Sequence, residues 1–457
     1  LTGAALLLVA DRSLGKATDY DLGLYHLQAI EFSSRFAAIP GLGNLHDRLA
    51  VSNPHLLVAS FLDTGPWDRL GYHLLNGWLL AALVVELATR IIGRGEGRLS
   101  FSTTFAMVLP LALVPTCMGA WGYRFASPNL DGAALVLVSA GTLFLVQAFE
   151  DDDAFASLVT GLALVGAAAA QRPLYTAWLV VAAVVLGLRR RSLRGIVGLR
   201  PWLWAAILPI LLGAGTIARQ LVVSGYPFFP LRVGGLPVDW AMPESALSHY
   251  SWFVTRWARW PGNPDAAGGL AWVGHWSRSL VDDLSVMPAA LLLVIALLAH
   301  VTRRDGPGWG WDGGALAVVV APGLATLALW FVTAPDPRFA LPAIWLPTIA
   351  LLAWTVPRAR LPLGRPLALA VVAGVMVLVT ADRAGWDMIR PLGVQGDGPL
   401  GIERARVPRL IPWNVSGLEL GHPDGSDQCW AETGCTAYDP TGMRLRGTTV
   451  SEGFTRR

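Results

Sequence analysis

Charge is what this chain most lacks. Of its 457 residues only 15% are Asp, Glu, Lys or Arg, against about a quarter in an ordinary soluble domain. Lysine is nearly absent: Lys16 stands alone, and every other cation is an arginine. The balance of 35 basic against 32 acidic residues, a formal net charge of +3, is too small to suggest a nucleic-acid partner. Three cysteines cannot build a disulfide scaffold. No internal repeat with a solenoid period is visible, and no two matching hydropathy halves, which counts against transporters built from internal repeats. Gly95-Glu96-Gly97 falls short of a phosphate-binding fingerprint and no Ser-His-Asp order stands out, so no nucleotide site is indicated.

What the chain has is apolar mass. Hydrophobic residues make up 54% and the mean hydropathy is +0.49, more than the polar surface could cover in water. The reading is an all-α membrane protein. Runs long enough to cross about 30 Å of hydrocarbon lie near 70–92, 101–119, 130–149, 202–223, 286–304, 313–333, 339–356 and 367–383. Region 154–188 is broken by Gln171-Arg172-Pro173 and reads as two short helices. Leu1–Ala10, half a span in length, reads as the outer half of a first transmembrane helix, giving about eleven helices.

Arginines gather after alternate spans: Arg90, Arg94 and Arg98; Arg189 to Arg200; Arg303 and Arg304; Arg358, Arg360 and Arg365. Short cytoplasmic loops collect positive charge, so these are inside. Loops 11–69, 120–131, 224–285 and 334–338 and the tail 384–457 are then outside, with the N-terminus cytoplasmic, the C-terminus extracytoplasmic and the membrane the inner or plasma membrane. Glu150-Asp151-Asp152-Asp153 dissents, but acids weigh little in this rule. The division is a bundle over 1–383 and a small outer cap over 384–457. Cys429 and Cys435 lie close together on the oxidising face and are expected to form one local disulfide.

The spans are nearly free of ionisable residues, and polar residues concentrate in the outer loops, which puts function at the outer membrane–water boundary. In the first loop, Leu24, Leu27, Ile30, Phe32 and Phe36 fit an amphipathic helix lying along the interface. Asp21 is placed to cap it, with Asp19 just ahead. A carboxylate at this level either caps the helix, serves as general base toward an acceptor, or binds a divalent cation.

An acidic residue in the first outer loop followed by an interfacial helix resembles the GT-C superfamily of integral-membrane glycosyltransferases. More narrowly, Tyr20-Asp21-Leu22-Gly23-Leu24-Tyr25-His26 and Gly41-Leu42-Gly43-Asn44-Leu45-His46-Asp47-Arg48-Leu49 resemble a bacterial family of polyprenyl-phosphate-sugar-dependent transferases. So do Ala334-Pro335-Asp336-Pro337-Arg338-Phe339 and Asp427-Gln428-Cys429-Trp430. The resemblance implies a GT-C-like bundle whose outer loops carry interfacial helices. It implies transfer of a sugar from a polyprenyl-phosphate carrier to a glycan, lipid or protein acceptor, in cell-envelope glycan or glycolipid synthesis. By the same resemblance Asp21 matches the first-loop aspartate, Asp19 is its rival, and Asp131 is a second acid at the next outer turn.

Arg338, at the outer mouth of a helix hairpin, is the best candidate for the carrier phosphate; a pair with Asp336 or a lipid headgroup is the alternative. Arg48, Arg124 and Arg172 are weaker. His26 and His46 are candidates for substrate hydroxyls, and Asn44, between Gly43 and Leu45, reads first as turn chemistry and second as a sugar contact. The spacing of His26, His46, His55 and His73 matches no metal motif. No cofactor is demanded, although a divalent cation fits some relatives. Six tryptophans in 224–285, Trp240 to Trp276, suit a membrane interface or stacking on sugars, with short helices expected over 245–260 and 268–283. A lipid or polysaccharide transporter and a non-catalytic envelope assembly protein are the competing readings. A single cysteine introduced in the tail should be labelled by a membrane-impermeant thiol reagent on intact cells; labelling only after permeabilisation would reverse the orientation.

Overall fold

The computed structural model describes residues 2–93, 99–117, 124–196, 198–283, 286–302, 311–355, 398 and 401–456. The chain is a mostly helical, membrane-embedded protein. Among the described residues, 5 helices are long and apolar enough to cross a bilayer: Gly71–Ile92, Leu130–Gln147, Arg200–Ser224, Gly313–Thr333 and Pro337–Thr355. A sixth is added if Val273–Asp282 and Met287–Val301, bent by 82° against each other, form one broken span. The remaining expected crossings are shorter apolar helices, among them Phe101–Leu113, Phe155–Gln171 and Pro173–Leu188. The expected run 367–383 lies outside the described residues, as do Arg94, Arg98, Arg303, Arg304, Arg358, Arg360 and Arg365.

Proline accounts for the short pieces. The stretch expected as one helix over 101–119 is divided into Phe101–Val108 and Pro110–Cys117, because Pro110 has no amide hydrogen to continue the ladder. Arg172 precedes Pro173 and is extended at φ −130°, as a residue before proline prefers. Phe155–Gln171 and Thr176–Leu188 therefore meet at a break that opens a polar position in apolar surroundings. Leu130–Gln147 crosses Phe155–Gln171 closely: a Cβ added at Gly141 would stand 2.9 Å from the Gly161 carbonyl oxygen, the small-residue packing of membrane helices.

The polar ends of the helices sort into two sets. At one end the Glu150 carboxylate accepts the Phe101 and Ser102 amides at 2.6 and 3.1 Å, Asp153 accepts the Phe155 amide at 3.0 Å, and Asp152 pairs with Arg194 at 2.5 Å. The acidic turn that dissents from the charge pattern is thus a set of helix caps and one ion pair. At the other end Asn53 donates to the Gln171 carbonyl at 3.1 Å, and Tyr175 to that of Phe339 at 2.7 Å. The loop after the first helix, the 124–131 turn, the 172–175 break and the 334–340 turn meet here. Short helices Glu244–Arg259 and Val273–Asp282 form where expected. Trp272 and Trp276 pack against Phe331 with ring centroids 5.6 and 5.4 Å apart, so both rings brace the neighbouring hairpin.

The tail adds a few short strands to the helical architecture. Leu410–Val415 pairs antiparallel with Leu418–Pro423, and Met443–Leu445 with Phe454–Arg456. Ser416 and Gly417, at φ 54° and 81°, make the two-residue turn with positive φ that a tight hairpin needs. Among the described residues the tail has no separate core: Leu420, Met443 and Phe454 share one with Phe32, Ile39, Leu42, Leu45 and Leu49 of the loop after the first helix. Cys429 and Cys435 form the expected disulfide, with Cα atoms 5.6 Å apart. Its ring grips the segment 23–28, since Trp430 N–H donates to the Gly23 carbonyl at 2.8 Å and Gln28 donates to that of Cys435 at 2.7 Å. A Cβ at Gly23 would stand 2.9 Å from both Gln428 and Trp430 side-chain atoms. Replacing both cysteines by serine should lower the unfolding free energy by about 2 kcal/mol, as such a short ring restrains little of the unfolded chain. Thermal unfolding in detergent measures this, and reductant should then move the wild type but not the double variant.

Candidate functional site

The polar cluster begins at Asp19. Its Oδ1 accepts the Asp21 amide at 3.3 Å, so Asp19 caps the following turn and Asp21, which makes no side-chain cap bond, does not. This reverses the expected division of labour. The backbone then widens into a π-helical turn over Leu22–His26 before the helix Leu27–Arg35; such turns recur at functional sites. Asp19 is 5% exposed. Its Oδ2 accepts Asn129 Nδ2 at 2.9 Å and Ser127 Oγ at 3.4 Å, and lies 3.8 Å from His26 Nδ1.

Asn129 also caps Leu130–Gln147, accepting the Asp131 and Gly132 amides at 3.0 Å. Its carbonyl accepts Asn76 Nδ2 at 2.8 Å, and Asn76 Oδ1 is 2.8 Å from His55 Nε2. Because the Asn76 amide nitrogen donates to two carbonyls, its oxygen faces His55, whose Nε2 donates. A chain of bonds therefore runs from His55 through Asn76 and Asn129 to Asp19, and fixes that carboxylate in place.

The second half of the cluster is ionic. Asp131 pairs with Arg172, at the break that Pro173 opens. Arg338 Nη1 lies 3.4 Å from Asp21 Oδ2, and its Nε lies 3.1 Å from Asp336 Oδ2. The intraprotein pair weighed for Arg338 thus forms, together with one to Asp21. The Phe339 ring has both cations over it, Arg172 Cζ at 5.0 Å and Arg338 Cζ at 4.9 Å from its centroid. The Arg172 and Arg338 side chains are 22% and 32% exposed and Asp21 14%, so these groups are open to a ligand while Asp19 is shielded.

Burial pushes the Asp19 carboxyl above its ordinary value, with His26 opposing. Burial acts the same way on Asp21, but the Arg338 guanidinium foremost outweighs it and holds that carboxyl low. Burial drives the His26 imidazole below its usual value. Two acids two residues apart thus have opposed proton affinities, the pattern of sites that divide proton roles. Among the described residues no three His, Cys, Asp or Glu side chains form a group that could hold a metal ion.

Six residues singled out in the sequence, Asp19, Asp21, His26, Asp131, Arg172 and Arg338, therefore come together. Two do not. Asn44 donates to the carbonyls of Trp240 at 2.9 Å and Phe454 at 3.3 Å, and His46 Nδ1 accepts the Arg48 amide at 3.2 Å; both residues line a separate cavity of about 590 Å³. Arg48 stands between the two places. Its guanidinium is 5.8 Å from the Tyr25 ring and 5.9 Å from that of Phe253, and its Nε is 3.5 Å from the Tyr438 hydroxyl. Asp19 lies on the wall of another cavity, of about 170 Å³, with Lys16, Arg404, Arg406 and Trp430. Sequence reasoning gave no role to Asn129, Ser127 or Phe339, although Asn129 directly ahead of an apolar run is a readable helix-cap signal.

The chain belongs to the family described as "Domain of unknown function (DUF8201)", which matches residues 1–345. Every residue of the acid–arginine cluster falls inside that stretch, and the described strands of the tail fall beyond it. No curated protein and no solved structure matches the chain.

The two acids should respond oppositely to neutralisation. Asp19 binds its proton more tightly folded than unfolded, so its contribution to stability is lost as pH rises above about 4. Asp21 has the lower affinity when folded, and its contribution is present above that range and lost as pH falls. Asp19→Asn should therefore raise the melting temperature at pH 7 to 8, with the gain fading toward pH 4, and Asp21→Asn should lower it. Melting curves across that range check both signs, and a loss of stability in both variants at pH 7 would contradict the assignment.

Proposed function

We propose that the chain is a GT-C-type glycosyltransferase of the inner or plasma membrane, an eleven-helix bundle with its active site on the outer face. In this reading it moves a sugar from a polyprenyl-phosphate carrier to a glycan, lipid or protein acceptor of the cell envelope. The observation that carries the reading is the meeting of Asp21, Asp19 and Asp131 with Arg338 and Arg172 at one end of an apolar bundle. Charges are costly there unless they pair or serve a ligand. A transporter needs such groups along a path through the bundle, whereas this cluster sits at one end.

The chemistry asks for a base and an anion site. The acceptor O–H loses its proton as the new bond to the anomeric carbon forms; the bond from that carbon to the phosphate oxygen breaks, and the lipid phosphate leaves. Asp21 takes the proton, being ionised and partly exposed. Arg338 and Arg172, fixed over Phe339, receive the phosphate. A phosphate that draws Arg338 away from Asp21 also removes the main influence holding that carboxyl low, so donor binding strengthens the base. Asp19 and His26 are positioning residues, and Asp131 holds Arg172.

Transfer of labelled sugar from a lipid-linked donor, in membranes or detergent, tests the reading. Asp21→Asn should cost about 10²–10⁴ in rate with folding intact. Arg338→Lys, which keeps the charge but loses the planar two-pronged donor, should also be impaired, and Asp19→Asn less so. Full activity in Asp21→Asn would move the base to Asp19 or Asp131, and full activity with all three replaced by asparagine would end the carboxylate mechanism.

A further inference from the structure

Among the described residues Arg48 has no acid to pair with, unlike the arginines of the cluster. Arg172 has Asp131, and Arg338 has Asp21 and Asp336, but no carboxylate oxygen of a described residue forms an ion pair with Arg48. Asp47, its neighbour in the chain, is no substitute, because burial pushes that carboxyl above its ordinary value with Arg48 opposing. The guanidinium packs on two rings instead, its carbon 5.8 Å from the centroid of Tyr25 and 5.9 Å from that of Phe253. Nε donates to the Tyr438 hydroxyl at 3.5 Å. Nη1 and Nη2 have no hydrogen-bond partner among the described residues, and both keep water-accessible surface.

Phenols complete the surroundings, since the charge of Arg48 is felt at the Tyr25, Tyr250 and Tyr438 hydroxyls. Those of Tyr25 and Tyr250 also lack a partner among the described residues and also keep accessible surface. Burial pushes both above the ordinary tyrosine value, that of Tyr250 to about 12, so at neutral pH each carries its hydrogen and donates. A part-buried guanidinium without a counter-charge is costly. Donors gathered without an acceptor match an oxyanion, whose oxygens only accept.

We infer that Arg48, Tyr25 and Tyr250 form a second oxyanion site, apart from the one at Arg338 and Arg172, that holds the phosphate or carboxylate of an acidic acceptor. The free edge of the guanidinium offers the planar fork that such groups take, and the phenols add neutral donors. The two sites rest on different rings, Phe339 for one and Tyr25 with Phe253 for the other. Asp21 borders both. Its charge is felt at Tyr25 and Tyr250, and it feels Arg338, Arg48 and Arg172 in turn. An acceptor anchored at Arg48 therefore brings a neighbouring hydroxyl toward the carboxylate that takes its proton, while the carrier phosphate occupies the Arg338 side.

That the anion belongs to an acceptor rests on the transferase reading; that an oxyanion binds rests on the donor set alone. Equilibrium dialysis of the full chain in a non-ionic detergent, without any lipid-linked sugar, uses labelled glucose phosphate and glucuronate, with glucose as the neutral control. At least one of the anions should bind, about tenfold or more tightly than glucose. Arg48→Gln should weaken that binding by about tenfold or more, and so should Tyr250→Phe, which keeps the ring and removes the donor. An unchanged melting temperature in Tyr250→Phe secures the comparison. Saturating farnesyl phosphate, a single phosphate on an isoprenoid, should leave the sugar anion bound. Binding of neither anion, equal binding of glucose, binding unchanged in both variants, or displacement by farnesyl phosphate would overturn the inference. Farnesyl diphosphate that binds more tightly than the monophosphate, by a margin lost in Arg48→Gln, would give the site to the carrier and overturn the acceptor assignment. Anion binding that depends on Arg48 without any transfer sinks only the transferase reading, and transfer at an unchanged rate in Arg48→Gln sinks only this one.

Discussion

The pairing of carboxylates with guanidinium groups at the edge of an apolar bundle is the constraint on which the rest depends. A charge next to hydrocarbon is tolerated only with a partner, and here the partners lie far apart in sequence. Arg338 reaches Asp21 across 317 positions, and Arg172 reaches Asp131 across 41. These contacts fix where the loop after the first helix, the 124–131 turn, the 172–175 break and the 334–340 turn meet. Each apolar helix is free to choose its own neighbours, but the ends carrying these side chains are not.

Much of this was readable because the relevant signals are local. Apolar run length located the long helices, and Pro173 placed the break at Arg172, since a proline restricts the residue before it whatever the tertiary context. Cys429 and Cys435 are near enough that their pairing needs no knowledge of the fold. Asp21 and Arg338 stood out because ionisable groups are rare in this chain. The signals that failed are those whose meaning depends on distant residues. Asp19 and Asp21 look alike two positions apart, and only the bonds from Asn129 and Ser127 show which one is buried. Asn44 and His46 share a motif with Arg48, yet their contacts turn toward Trp240, Phe454 and Tyr438 and into a different cavity.

The strands of the tail were not legible for a related reason. They are short and their apolar positions few, so no period-2 pattern rises above the background, and their burial comes from the loop after the first helix. Composition could not reveal that these strands share their core with Phe32, Ile39, Leu42 and Leu45. The acidic turn at Glu150 shows the same limit from the other side: as a loop it violates the charge pattern, and as two helix caps and an ion pair it violates nothing.

Tail and site are mechanically one. The turn Leu22–His26 must hold Asp21 toward Arg338 while the residue before it holds Asp19 toward Asn129, and a π-helical turn is not self-sustaining in the way an α-helix is. The disulfide-closed ring supplies the restraint, through Trp430 N–H on the Gly23 carbonyl and Gln28 on the carbonyls of Glu432 and Cys435. Gly23 is the position at which that contact leaves no room for a side chain. The family match ends at residue 345, so in this chain a segment beyond the matched region sets the geometry of a cluster inside it. A bundle that kept every acid and arginine but lost the ring would retain the charges and lose the angle at which Asp21 meets them.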